Sequence, residues 1–239
     1  MPRQPYLRHP TIRRHKDAPD KWSMGSAARL ERPDHIAKIG ECLTLWPDVD
    51  TQLALLLAAL TKANTSGIVA VYSILRRSTG RVEAIKAAAG AMLDGEGQEL
   101  ISAIMVFLQT VEAARNDLAH GHWGCSHLIP EGILWLDGTY TINFHVKHRQ
   151  TVIIERREFP TDILSNMYYY RIKDFEEIKK QILILCEVIF TMRVYVDSFH
   201  AKPTYHTNDA ICAQLRSYGP IRQALAQKDV RANLPNRPI

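Results

Sequence analysis

The sequence predicts a mainly α protein, an antiparallel helical bundle with a small three-stranded antiparallel β insert. Two observations carry this expectation. Apolar residues recur at three- and four-residue steps through most of residues 34–200, with short Gly, Asp or Ser clusters between the periodic stretches. After His122 the period changes to alternation for about 25 residues (roughly 133–159), then returns to the helical step.

Taken in order, residues 1–33 hold Pro2, Pro5, Pro10, Pro19 and Pro33 and no sustained apolar period, which predicts a basic, extended arm. From Asp34 the pattern Ile36, Ile39, Leu43 predicts a helix that bends at Pro47, where Asp48 and Asp50 offer new caps. Leu53, Leu56, Leu57 and Leu60 continue its apolar face. Asn64–Gly67 reads as a loop or cap. Ile68 to Leu75 and Val82 to Leu93 then form two further helices, and Asp94-Gly95-Glu96-Gly97 separates them from a long one. That long helix carries Leu100, Ile104, Leu108, Val111 and Leu118 on a face that must be buried. Its end is placed at Gly121, expected to take the left-handed conformation of a helix C-cap.

The β insert is predicted at about 133–159. Ile133–Leu136 runs into Asp137-Gly138, a hairpin signal. Tyr140, Ile142, Phe144 and Val146 alternate with polar residues as a second strand, and Val152–Phe159 is the third. Phe175, Ile178, Ile182, Leu185, Ile189, Met192, Val196 and Phe199 mark a last long helix over about 173–200. Residues 34–200 thus form the expected helical domain. Residues 201–239 form a basic tail with two weak amphipathic pieces, around Ile211/Leu215 and Ile221/Leu225.

Charge is uneven along the 239 residues. Residues 1–33 hold eight Lys and Arg against three acids, residues 200–239 six against two, and residues 34–199 sixteen against twenty. Basic ends on a mildly acidic body suit capture of a polyanion, although solubility alone would also account for them. Cys42, Cys125, Cys186 and Cys212 are scattered without paired spacing, so a reduced, cytoplasmic protein is expected. No secretory leader is visible. The most apolar stretch, Ile182 to Val196, is interrupted by Glu187 and Arg193, so no membrane association is expected. No P-loop, dinucleotide-binding glycine pattern, serine-nucleophile elbow or zinc-protease motif occurs, and no cofactor is expected.

The chemistry concentrates in Arg115-Asn116-Asp117-Leu118-Ala119-His120-Gly121-His122. A histidine can exchange a proton with a ribose 2′-OH or a leaving 5′-oxygen near neutral pH. An arginine can hold two phosphate oxygens and offset the charge that builds on them. Asn116 lies one turn before His120 and could orient its ring or bind phosphate. On one helix Arg115 and His120 point about 140° apart, and Asn116 and His120 only about 40°. A complete acid and base would therefore come from two copies across a twofold axis. The Arg-to-His spacing alone is uninformative, since Arg3/His9, Arg8/His15, Arg29/His35 and Arg193/His200 share similar gaps. Two other uses of the string stay open. Glu112, Arg115 and Asp117 could form an ion-pair cluster with His120 capping the helix, and His120, His122, Cys125 and His127 could bind metal, though they match no spaced zinc pattern.

At this string the chain resembles the HEPN superfamily, in which an arginine, a polar residue and a histidine four to six residues on lie along a helix of an all-α bundle. The resemblance implies a metal-independent ribonuclease, often a toxin or defence effector, that works on RNA as a homodimer with a composite site. Arg115, Asn116 and His120 would be the catalytic residues, with His122 as the alternative histidine. It equally implies a second possibility, a non-catalytic dimeric interaction or regulatory module with an antitoxin-like or regulatory partner.

Overall fold

The computed structural model describes residues 3–14, 22–75, 77–148, 162–200 and 205–232. Helices dominate, as the three- and four-residue apolar steps require. In chain order they are α1 (Pro10–Arg14), α2 (Ser26–Glu31), α3 (Pro33–Thr44), α4 (Trp46–Thr61), α5 (Thr65–Ile74), α6 (Ser78–Met92), α7 (Gly95–His120), α8 (Gly138–His148), α9 (Asp162–Ser165), α10 (Ile172–His200), α11 (Tyr205–Ser217) and α12 (Gly219–Ala232). The strands are β1 (Gln4–Pro5), β2 (Trp22–Met24), β3 (His122–Ser126), β4 (Gly132–Leu136) and β5 (Tyr168–Arg171). The chain divides into two units: Met1–Thr44 with Glu112–Lys180, and Leu45–Val111 with Gln181–Ile239. The division falls inside α7 and α10.

The second unit is helical throughout its described residues. Pro47 stands in the first turn of α4, where its missing N–H costs nothing, and Lys62 closes that helix in the left-handed conformation at φ 50°. Asn64 caps α5 by accepting from the Ser66 and Gly67 amides at 2.9 and 3.4 Å. Asp94 caps α7 through the Gly97 amide at 2.8 Å. Leu53, Leu56, Leu57 and Leu60 of α4 are buried, with Leu100, Ile104 and Leu108 of α7 and Ile182, Leu185, Ile189 and Met192 of α10. The stretch Pro33–Thr61 has the length and composition of a membrane span. The burial of the α4 leucines accounts for that apolarity as core. The two weak pieces of the C-terminal segment are α11 and α12, which bury Cys212, Leu215 and Ile221.

The first unit is built on a five-stranded antiparallel sheet in the order β1-β5-β4-β3-β2, where the sequence predicts three strands. Its centre is β3, β4 and β5. Trp123 pairs with Trp135, and Trp135 with Tyr168, so alternate positions set two unlike faces. One face presents Leu134, Leu136 and Tyr169. Leu134 and Tyr169 join Tyr6, Ile129 and Met167 in a buried cluster, and Leu136 packs with Phe144 of α8 and Ile163 of α9. The other face carries Trp123 and Tyr170, which gather on Phe175 near the start of α10, with Tyr170 and Phe175 stacked at 5.3 Å. Asp174 accepts from the Arg171 amide at 2.7 Å and closes the start of α10.

Two expectations need correction. The second predicted strand, Tyr140 to Val146, is the helix α8. Asp137-Gly138 is its cap and first residue, with Asp137 Oδ1 accepting from the Tyr140 amide at 2.8 Å and its carbonyl accepting from the Thr141 amide at 2.9 Å. The alternation was a coincidence of a short helix that buries Thr141 and Phe144, three apart, and exposes Ile142 and Val146, four apart. The predicted third strand, Val152–Phe159, lies outside the described residues. The sheet's outer strands come instead from residues 1–33, which supply β1 and β2. Two or three residues are too few to display a period.

Candidate functional site

The candidate residues sit where α7 ends against β3 and β4. α7 stays helical through His120, so Arg115 and His120 keep their divergence of about 140°. His120 is exposed, while Arg115 and Asn116 are half-buried, and Arg115 Nη1 donates to Asn116 Oδ1 at 3.0 Å. His122 is exposed but belongs to β3, so the helical direction that would align it with Arg115 does not apply.

Gly121 is not in the left-handed region expected of it; among the described glycines only Gly25 has a positive φ. Its lack of a side chain answers a close approach instead. A Cβ here would lie 1.8 Å from Trp135 Nε1 and 2.8 Å from the Asp117 carbonyl oxygen. Trp135 uses the space to donate from Nε1 to that carbonyl at 2.8 Å, and the Gly121 amide donates to the same oxygen at 3.0 Å. Gly138 is constrained in a similar way. A Cβ at that position would come within 2.6 Å of the His120 carbonyl oxygen and 3.7 Å of the His122 ring. The first residue of α8 is thus seated against both histidines.

Asp117 forms an ion pair with Arg3, which no local pattern marks out. Arg3 Nη1 lies 3.0 Å from Asp117 Oδ2. The Arg3 guanidinium also sits over the rings of Trp135 and Tyr168, at 4.2 and 4.7 Å from their centroids. Burial pushes the Asp117 carboxyl above its ordinary range, Arg3 pulls it back, and nearby Asp137 adds to the rise. The Tyr170 hydroxyl is also buried here. Burial raises it well above the usual phenol range, with Asp117 acting in the same sense and Arg3 against it.

No family model, curated protein or solved structure matches this chain.

The other residues singled out from the sequence have definite places. Trp135, Tyr169 and Tyr170 are buried in the sheet's two faces and offer no ring to a nucleotide base, whereas Trp123 and Tyr168 are half-buried. Cys125 is buried, with its Sγ 3.1 Å from Ser23 Oγ, and it lies three positions from His122, so strand alternation directs their side chains to opposite faces. Among the described residues no group of three or more His, Cys, Asp or Glu is placed to hold a metal ion.

What the arrangement can do chemically follows from these placements. The α7 terminus presents an exposed imidazole at the negative end of a long helix, with a guanidinium and an amide one turn earlier. The indole of the central strand β4 and a half-buried ion pair fix that terminus. Proton transfer at His120 and phosphate binding at Arg115 are both within this set, on opposite sides of one helix.

Proposed function

We propose that the chain is a cytoplasmic endoribonuclease of the HEPN type, in which two copies of its helical bundle join their α7 ends into one composite site. The observation that carries this reading is the Arg115-Asn116-His120 string on the last turns of an unbroken helix, with His120 exposed. His120 of one copy takes the 2′-OH proton, and that of the second gives a proton to the leaving 5′-oxygen. Arg115 binds the phosphate between them, and Asn116, hydrogen-bonded to it, fixes its orientation. The divergence of Arg115 and His120 on one helix makes the second copy necessary. His122 is the alternative proton carrier. The basic ends would gather RNA, and a toxin or defence role with a regulatory partner fits this chemistry.

The test is cleavage of labelled RNA in EDTA by purified wild type, Arg115→Ala, His120→Ala and His122→Ala. Cleavage by wild type that is lost in the first two variants supports the reading. Equal cleavage by all four, or none by any, removes it. The second outcome would favour a non-catalytic interaction module.

A further inference from the structure

We infer that Arg3 is a positioning residue for the α7 terminus: stacked on Trp135 and Tyr168 and paired with the Asp117 carboxylate, it keeps that carboxylate away from His120 and from any bound phosphate. The inference rests on the nuclease reading for its catalytic consequence, and on geometry alone for its structural one.

Asp117 and His120 are three residues apart on one helix, about 60° in rotation, so their side chains are natural neighbours. A carboxylate free to turn toward the imidazole would compete for its N–H. It would also set a negative charge beside the phosphate that Arg115 is there to bind. The protein instead directs the carboxylate to Arg3, at 3.0 Å, with the two side chains only 21% and 16% exposed. The side chains that act on the Asp117 carboxylate are Arg3 from the N-terminal segment, Asp137 at the head of α8 and, across the same space, the Tyr170 hydroxyl from β5. Of these only Arg3 is a cation able to neutralise it.

Arg3 is itself held by several independent contacts. Its guanidinium stacks on two rings. The next residue, Gln4, pairs with Tyr169 and accepts from the Tyr169 hydroxyl at 2.8 Å. The Tyr6 amide donates to the Met167 carbonyl at 2.9 Å, and its ring is 1% exposed. Planar stacking with simultaneous ion pairing is a task for guanidinium rather than ammonium. A residue that served only to cover the sheet would not need a charge aimed at one carboxylate.

The experiment compares full-length wild type, Arg3→Met, Arg3→Lys and Arg3→Met/Asp117→Asn at matched folded fraction, judged by thermal melting. Two readouts are taken: the NMR titration of the Asp117 carboxyl carbon, and single-turnover RNA cleavage. In Arg3→Met the Asp117 titration is expected to move to higher pH. The single-turnover rate constant at saturating enzyme is expected to fall about tenfold with the half-saturating concentration unchanged, within the loss that small displacements near reacting groups produce. Arg3→Lys should recover part of that loss, and the double variant more, because without the carboxylate there is nothing to restrain. An unmoved Asp117 titration in Arg3→Met, or a double variant no better than Arg3→Met, overturns the inference. If wild type cleaves no RNA the nuclease reading falls. Arg3 is then judged by the Asp117 titration alone, with a shift supporting the restraint and no shift refuting it.

Discussion

The indole Nε1 of Trp135 donates to the main-chain carbonyl of Asp117 at 2.8 Å, through the space that a side chain at residue 121 would need. A buried tryptophan on a central strand thereby gives a second donor to a carbonyl in the last turn of α7 that already accepts from the Gly121 amide at 3.0 Å. Gly121→Ala must displace either the indole or the helix end. We expect it to cost about 1–3 kcal/mol as overpacking, measured by urea unfolding. In a Trp135→Phe background the Ala substitution should cost much less, because the clashing nitrogen is gone. Simple additivity of the two changes would refute this coupling.

Asp117 predicts a pH dependence of stability with a definite sign. Its folded-state pKa is raised above the ordinary 3.8, so below that value the group is protonated in both states and carries no penalty. As pH rises from 3.8 through the folded-state value the unfolded chain ionises first, and stability is lost until the folded group has ionised too. Asp117→Asn removes this loss. Its stability relative to wild type should therefore increase across that window and then level off, as read from urea midpoints at successive pH values. A difference that is flat or falls with pH would contradict the assignment.

Asp137 is the cap of α8, so Asp137→Ala should destabilise the protein by about 1 kcal/mol. Amide exchange is expected to accelerate in the first turn of α8, most at Tyr140, whose amide loses its side-chain acceptor, whereas Thr141 keeps the main-chain carbonyl of residue 137. Asp137→Asn should keep most of the protection. Equal exchange in wild type and Asp137→Ala would mean that tertiary packing alone holds the helix start.

Burial pushes the Cys42 and Cys186 thiols up to about 11. At pH 8 each is then thiolate in only about one molecule in a thousand, and the thiolate is the reactive form. Both should react with a disulfide reagent far more slowly in the native protein than in denaturant. Rapid native labelling of either would show that its surroundings open readily.

Much of the helical scaffold was legible because long apolar faces repeat many times. α7 and α10 declare themselves through Leu100 to Leu118 and Phe175 to Val196, and the caps Asn64 and Asp94 are local signals. α8 was illegible for the opposite reason. Over 11 residues an apolar alternation fits a strand even where a helix forms and leaves Ile142 and Val146 exposed, and Asp-Gly serves as well for a helix start as for a hairpin turn. At the candidate site, the placement of Arg115, Asn116 and His120 on a helix end was readable, and so was the position of Gly121. The reason for the glycine was not, because it depends on Trp135 approaching from another strand. Arg3 carried no signal at all, since nothing local connects it with Asp117.

The outer strand β1 of the sheet is made before its neighbours and is the last to find its partner, β5. Gln4 lies 165 residues before its partner Tyr169, a gap that at translation speeds of about 5–20 residues per second takes roughly 8–33 s to synthesise. Throughout that time the emerging segment has no ladder to join, and Arg3 lacks the Tyr168 ring that completes its aromatic seat. The tip of α7 is therefore finished only when the ribosome is well past it, so a newly made chain passes through a period with the helices from α3 to α7 made and its proposed chemistry still unassembled.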